Sequence, residues 1–341
     1  MHVDPLPGEL PGECLGECPG EHPGEAEFRV EVVGRRTVAD QVVELTLRRI
    51  DGEAPRWEPG AHIDLIFTKF LNAQYSLCGN PDDRDTLTVA VQREPRGRGA
   101  SLYVHNVLTV GKKLRVRGPR NNFPLHPAER YLFIAGGIGI TPLLPMVRTV
   151  AARGDRWALA YGGRTRSSMA YLPQLAELAA LAELGGDIEV RPQDETGPLD
   201  LDALLGTPEP GTHVYCCGPD SLLSAVEQRC DGWPSGSLHI ERFAPRVSDP
   251  ANDAAFDVEC ARSGVTVQVP PGITILDALE RADIYAEAEC RVGTCGVCET
   301  PVLEGAADHR DFVLRPQERQ YGKVMMICCS RAQGPRLVLD I

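Results

Sequence analysis

Basic residues are too few in this chain to hold a polyanion: 35 Lys plus Arg stand against 48 Asp plus Glu, a net charge of −13. A nucleic-acid binder needs a basic face, so that class is excluded. A long unbroken apolar run is also missing. The best candidate, Tyr131 to Val147, is interrupted by Gly136, Gly137, Gly139, Pro142 and Pro145, which excludes a continuous spanning helix and leaves no membrane segment. No apolar stretch follows Met1, and the twelve cysteines are scattered through 341 residues. That distribution suits free thiols in a reducing cytosol, not a disulfide scaffold, and a cytoplasmic location is expected.

What is present divides into modules. A prior of ~150 residues per domain allows two or three, and the texture argues for three. Residues 1–26 repeat Pro-Gly-Glu at 7–9, 11–13, 19–21 and 23–25 and have little to bury, so a disordered tail is expected, with no function attached to its Cys14, Cys18 and His22. Residues 27–127 show short β runs, among them Phe28–Val33, Val42–Leu47 and Thr86–Val91, between Gly, Pro and Asp turns, which predicts an antiparallel β-barrel. Residues 128–244 alternate strands (131–135, 157–161, 188–191, 213–216, 238–243) with helices from Thr141 and over 171–184. This predicts an α/β domain with a parallel sheet. A polar linker is expected at 245–254 and a small α+β domain at 255–341.

The last module carries the most specific signal. Cys290, Cys295 and Cys298 stand in the spacing C-x4-C-x2-C, with Cys328 thirty positions on, the plant-type 2Fe–2S ligand pattern. A zinc ribbon wants two pairs of ligands, whereas three plus one suits two irons. Gly293 and Gly296 let backbone N–H groups approach the sulfurs. Cys329 is the alternative fourth ligand.

In the middle module a strand runs into Gly136-Gly137-Ile-Gly139-Ile-Thr141-Pro142, which predicts a helix capped by Thr141. Its N-terminus suits a pyrophosphate, although tight helix–strand packing would also call for these glycines. Cys217-Gly218-Pro219 follows a later strand at the carboxyl edge of the sheet, where α/β ligands bind. Cys217 is placed either beside a nicotinamide ring or as a buried apolar thiol. Arg164 and Arg166 follow the second strand and are candidates for the adenosine side. No acidic residue ends that strand, so NADH against NADPH stays open.

Taken in order, barrel, nucleotide module and plant-type ferredoxin resemble the phthalate dioxygenase reductase family, which includes vanillate demethylase reductases. The likeness covers about residues 28–341 and rests also on Pro59–Asp64, Gln74–Gly79, Gly97–Ser101, Glu241-Arg-Phe243 and Ala307–Asp311. It implies an FMN-binding barrel, an NADH-binding domain and a ferredoxin-like β-grasp domain. Carried over, Tyr75 lies along the flavin and Ser76 offers its hydroxyl near the reacting nitrogen. Gln74 belongs to the same segment, and Ala90, Val91, Gln92, Gly99, Ala100 and Ser101 line the flavin and its phosphate. Gly136, Gly137, Gly139, Thr141, Cys217, Gly218 and Pro219 face the nucleotide. Phe243 closes the nicotinamide side, and Ser76, Cys217 and Phe243 form the catalytic set. Without the resemblance, Tyr75 reads as a half-buried sheet aromatic and Phe243 as a core residue.

One position departs from the pattern: the family's flavin motif is Arg-x-Tyr-Ser, and the arginine's place is taken by Ala73. Loss of a charge-assisted phosphate contact costs ~1.5–3 kcal/mol, so weaker flavin binding is expected unless Lys69 or Arg98 supplies the charge. The chain has no Rieske-type or haem ligand motif of its own, so oxygen activation must happen on another protein. The resemblance therefore implies a reductase component that passes electrons from NADH through FMN and the cluster to a Rieske-type oxygenase or O-demethylase. The competing readings are a reductase for a cytochrome P450 and a ferredoxin-like carrier whose flavin site has decayed.

Overall fold

The structure, a computed structural model, describes residues 27–68, 71–95, 99–181, 186–243 and 253–341. The Pro-Gly-Glu tail, Lys69, Arg98 and most of the expected linker lie outside these residues.

The first module is a six-stranded antiparallel sheet built from β1 (Glu27–Ala39), β2 (Val42–Arg49), β3 (His62–Thr68), β4 (Leu71–Ser76), β5 (Thr86–Gln92) and β6 (Lys113–Arg120). Its order is β4-β3-β6-β1-β2-β5, and a bridge between Leu77 and Val89 brings the two edges together into a barrel. Alternation along β1, where Phe28, Val30 and Val32 are buried between exposed partners, fills the interior with Leu45, Leu47, Ile63 and Leu65. One short helix, α1 (Ala100–Asn106), comes between β5 and β6.

The second module is a five-stranded parallel sheet: β7 (Arg130–Gly136), β8 (Arg156–Gly163), β9 (Gly186–Pro192), β10 (Thr212–Cys217) and β11 (Leu238–Glu241), in the order β11-β10-β7-β8-β9. Helices α2 (Ile140–Arg153), α3 (Leu172–Leu181), α4 (Gln193–Thr196), α5 (Leu201–Leu205) and α6 (Asp220–Arg229) connect the strands. Near-continuous burial of β7 is what a parallel strand covered on both faces requires. The strand-helix alternation and the parallel pairing agree with the sequence reading, with two corrections. The helix expected from Tyr171 begins one residue later because Tyr171 has φ of 66°, and the described part ends at Leu181. The last strand stops at Glu241, short of Phe243.

The first two modules share a core. Val42, Cys78, Ala90 and Phe123 of the barrel pack in one cluster with Phe133, Leu143, Tyr161 and Tyr171. At its edge the Tyr171 hydroxyl donates to Glu44 (2.9 Å) and lies 3.1 Å from the Cys78 sulfur.

The third module has the mixed sheet β13-β12-β18-β14-β16, formed by β12 (Phe256–Cys260), β13 (Val265–Val269), β14 (Glu299–Glu304), β16 (Val324–Met326) and β18 (Arg336–Leu339). A ribbon of β15 (Ala307–Asp308) and β17 (Arg331–Ala332) flanks it, with helices α7 (Ile275–Arg281) and α8 (Pro316–Tyr321). Thr274 caps α7 by accepting from the Asp277 N–H, and Ile275, Leu276 and Leu279 of its inner face are buried. A helix on a mixed sheet is the β-grasp arrangement expected from the sequence.

Candidate functional site

The cysteine loop is wound by backbone conformation first. Arg291, Gly293 and Gly296 all adopt positive φ, and a Cβ at Gly293 would stand 2.5 Å from the Cys329 sulfur. This winding turns backbone donors inward: the Val292 and Thr294 N–H groups point at the Cys290 sulfur (3.5 and 3.2 Å) and the Cys290 N–H at Cys295 (3.4 Å). Arg291, inside the loop, is held by Asp277 and Glu280 on α7.

The four predicted cysteines come together as one run of neighbours. Cys290 shares hydrogen bonds with Cys295 and Cys328, and Cys298 with Cys328. Among the described residues no three or more His, Cys, Asp or Glu side chains close around a single ion. Four adjoining thiols are the donor set that two irons require, so the residues fit a 2Fe–2S group. Cys329 lies beside them, its thiol next to Gly293 of the loop and 3.8 Å from the Met326 carbonyl.

At the nucleotide edge the glycines divide by role. A Cβ at Gly139 would stand 2.1 Å from the Cys217 carbonyl oxygen, and one at Gly136 would stand 2.7 Å from Leu222 and Pro219. Both are there so that two loops can touch. Gly137, at φ of 55°, faces open space and is the one of the three with room for a ligand. The cap expectation is corrected: Gly139 occupies the N-cap, and Thr141, inside the first turn, donates its hydroxyl to the Ile138 carbonyl (2.9 Å). A short 3-10 turn at Gly137–Gly139 starts the helix earlier than the Thr-Pro signal suggested.

Cys217 is fully buried, and burial pushes its thiol well above the ordinary range, so it is an apolar protonated side chain and not a nucleophile. Phe243 is 44% exposed, which removes the core-residue alternative. Arg166 is taken up by a bidentate pair with Glu195. Arg164 is exposed, its carbonyl accepting from the Asp194 N–H (3.2 Å), and it stays the candidate for the adenosine side.

In the barrel, Tyr75 packs half-buried on the barrel core and Ser76 is buried. Ala90 and Val91 are buried and Gln92 is exposed. Gly99, at φ of 99°, opens onto free space ahead of Ala100. The Ser101 hydroxyl accepts from the Glu94 N–H (3.0 Å) and lies 3.2 Å from the Glu94 carbonyl, so it closes its own loop.

Strand β4 connects all three modules. Gln74 and Ser76 lie two residues apart, on one face of the strand. The Ser76 hydroxyl faces Glu241, at the end of β11 opposite Cys217. The Gln74 amide donates to the carbonyl of Glu289 (2.6 Å), the residue before the first cluster cysteine. Glu241 was missed as a functional residue, although its position at a strand end two residues before Phe243 was a usable signal. Its carboxyl oxygen Oε2 is buried without a partner among the described residues, and burial raises its pKa to about 8. An unpaired buried oxygen beside Ser76 fits a site that takes a further polar group, as a flavin edge would be.

Comparison with known proteins places these features in context. Residues 133–228 match the oxidoreductase NAD-binding domain model, and residues 258–333 the 2Fe-2S iron-sulfur cluster binding domain model. The chain is 42% identical over 307 residues to phenoxybenzoate dioxygenase subunit beta of Ectopseudomonas oleovorans, covering 89% of this chain and 94% of that one. It is similar to the solved structure of phthalate dioxygenase reductase, described as a modular structure for electron transfer from pyridine nucleotides to 2Fe-2S, with a TM-score of 0.79, 33% identity, and coverage of 92% of this chain and 98% of that one. An intact type IV self-sufficient cytochrome P450 monooxygenase matches at 45% identity and a TM-score of 0.70 over 92% of this chain, which spans 41% of that longer protein.

Proposed function

This chain belongs to the phthalate dioxygenase reductase family, and from that premise we propose that it is the NADH-dependent reductase component of an oxygenase system, most specifically one with a Rieske-type oxygenase or O-demethylase. The observation that carries the reading is the position of β4, which meets the end of β11 in the nucleotide module where Ser76 faces Glu241, and meets the cysteine loop where Gln74 donates to Glu289. FMN bound there would take up two electrons as hydride and release them one at a time, and the cluster would relay each to the oxygenase.

The protein's own part is to bind, orient and insulate. The start of α2, with Gly137 open before it, offers backbone donors and a positive dipole end to a pyrophosphate. Tyr75 and Ser76, with residues 90–92 and 99–101, would hold the flavin, and Glu241 faces the Ser76 hydroxyl. With its pKa near 8, Glu241 is mostly neutral at pH 7 and keeps a negative charge away from the hydride's path. The buried thiol of Cys217 supplies an apolar wall, and the exposed ring of Phe243 is free to cover the nicotinamide face. Cys290, Cys295, Cys298 and Cys328 would hold the cluster, which Rieske centres, at higher potential, would oxidise downhill.

A second reading, a reductase serving a cytochrome P450, is favoured by the match to the self-sufficient P450. Reconstitution with each type of acceptor separates the two.

The test is an anaerobic NADH titration followed by visible absorption, with iron and extracted flavin measured on the same sample. Bleaching of flavin and cluster bands at one flavin and two irons per chain is the expected result. A cluster that stays oxidised with NADH even after FMN is added would make the chain a carrier and not a reductase.

A further inference from the structure

Three barrel side chains converge on one residue of the ferredoxin module. Gln74 donates to the Glu289 carbonyl (2.6 Å), Asn122 donates to its carboxylate (3.1 Å), and the Arg120 guanidinium lies 3.3 Å from the same carboxylate oxygen. Arg120 is itself fixed by Asp64 on β3 (2.6 Å). The Arg120, Asp64 and Glu289 side chains are only 10%, 13% and 17% exposed, so this ion-pair seam is largely withdrawn from water and geometrically constrained, unlike a surface pair. Glu289 directly precedes Cys290, and the winding of the loop passes any displacement of 289 on to the first cluster sulfur. On the opposite side, the Arg242 guanidinium stacks 4.1 Å from the Phe312 ring, and Phe312 is bonded to the Gly293 carbonyl (2.8 Å).

We propose that Glu289 is a positioning residue for internal electron transfer: its contacts with Arg120, Asn122 and Gln74 hold the cluster loop against the flavin-binding strand β4. The inference rests on the reductase reading above. The step it serves moves one electron from reduced flavin to oxidised cluster, the flavin losing it and one iron gaining it. Tunnelling falls steeply with separation, so a seam that fixes Cys290 relative to Tyr75 and Ser76 sets the rate of this step without touching hydride transfer.

The test uses the holoenzyme in anaerobic stopped flow, with flavin and cluster bands followed separately, and hydrogen exchange of the oxidised protein as a readout independent of turnover. In Glu289→Ala, flavin reduction by NADH should keep its wild-type rate while cluster reduction slows several-fold or more. Amides of residues 290–294 should exchange faster while those of β12 and β18 do not change. Glu289→Gln, which keeps the acceptor for Asn122 and loses the charge facing Arg120, should fall between. Wild-type cluster reduction with unchanged exchange in Glu289→Ala overturns the proposal. If that variant loses iron, Asn122→Ala decides, because it leaves the ferredoxin module intact: slowed cluster reduction supports the assignment, and a wild-type rate overturns it. A wild-type chain whose flavin is not reduced by NADH would sink the reductase reading itself, a result distinct from a wild-type rate in the variant.

Discussion

At the scale of single residues, burial decides the chemistry of Glu241 and Cys329. The folded pKa of Glu241, about 8, lies above its ordinary value of 4.5, so ionisation favours the unfolded chain. The stability linked to its neutral form is complete below about pH 4.5 and is lost as pH rises through about 8. Thermal unfolding from pH 5 to pH 9 should show a decline, on the order of a few kcal/mol, that Glu241→Gln removes. An identical decline in that variant would assign it to other groups. For the cysteines, Cys328→Ser should abolish the cluster's visible bands and iron content, since it removes the thiol that joins Cys290 and Cys298. Cys329→Ser should keep both, because the contacts with Cys290 and Cys298 are made by Cys328.

At the scale of elements, the glycine-rich turn between β7 and α2 separates packing from binding. An added methyl at Gly139 meets the backbone of Cys217 and Gly218 with no flexible side chain to yield, so Gly139→Ala should cost about 3 kcal/mol or more in urea unfolding. Gly137→Ala meets nothing within 4 Å and bears only the left-handed strain of roughly 1–2 kcal/mol. It should weaken NADH binding more than it lowers stability. The opposite ranking of the two variants in unfolding would mean that the turn is held for another reason. Strand β4 shows the same economy of placement: alternation of its side chains sends Ser76 and Gln74 to one face and Tyr75 to the other.

Across the whole molecule, the three modules are joined by side chains drawn from distant parts of the chain, and the chain as a whole is acidic. A net charge of −13 should steer a basic docking face, so turnover with the oxygenase should fall as ionic strength rises from low to physiological and beyond. Equal turnover at both ends of that range would show that charge does not guide docking. NADH reduction of the protein by itself should change little over the same range, which localises the effect to the partner step. No helix among the described residues is long and apolar enough to cross a membrane.

The sequence by itself determined whatever depends on local pattern. Strand and helix periods gave the barrel, the parallel sheet and the α+β module, and cysteine spacing pointed to a 2Fe–2S group because a loop around two irons admits few arrangements. It also pointed to the glycines of the nucleotide turn, but not to which of them packs and which binds, since that depends on what lies opposite: Cys217 stands 78 positions from Gly139 in the chain. Only the tertiary structure decided that Thr141 sits inside its helix, that Ser101 is occupied by Glu94, and that Phe243 is exposed. Glu241 beside Ser76, and Glu289 beneath Gln74, Arg120 and Asn122, were equally out of reach. Burial and long-range partners fix these roles, and neither has a period or a spacing along the chain.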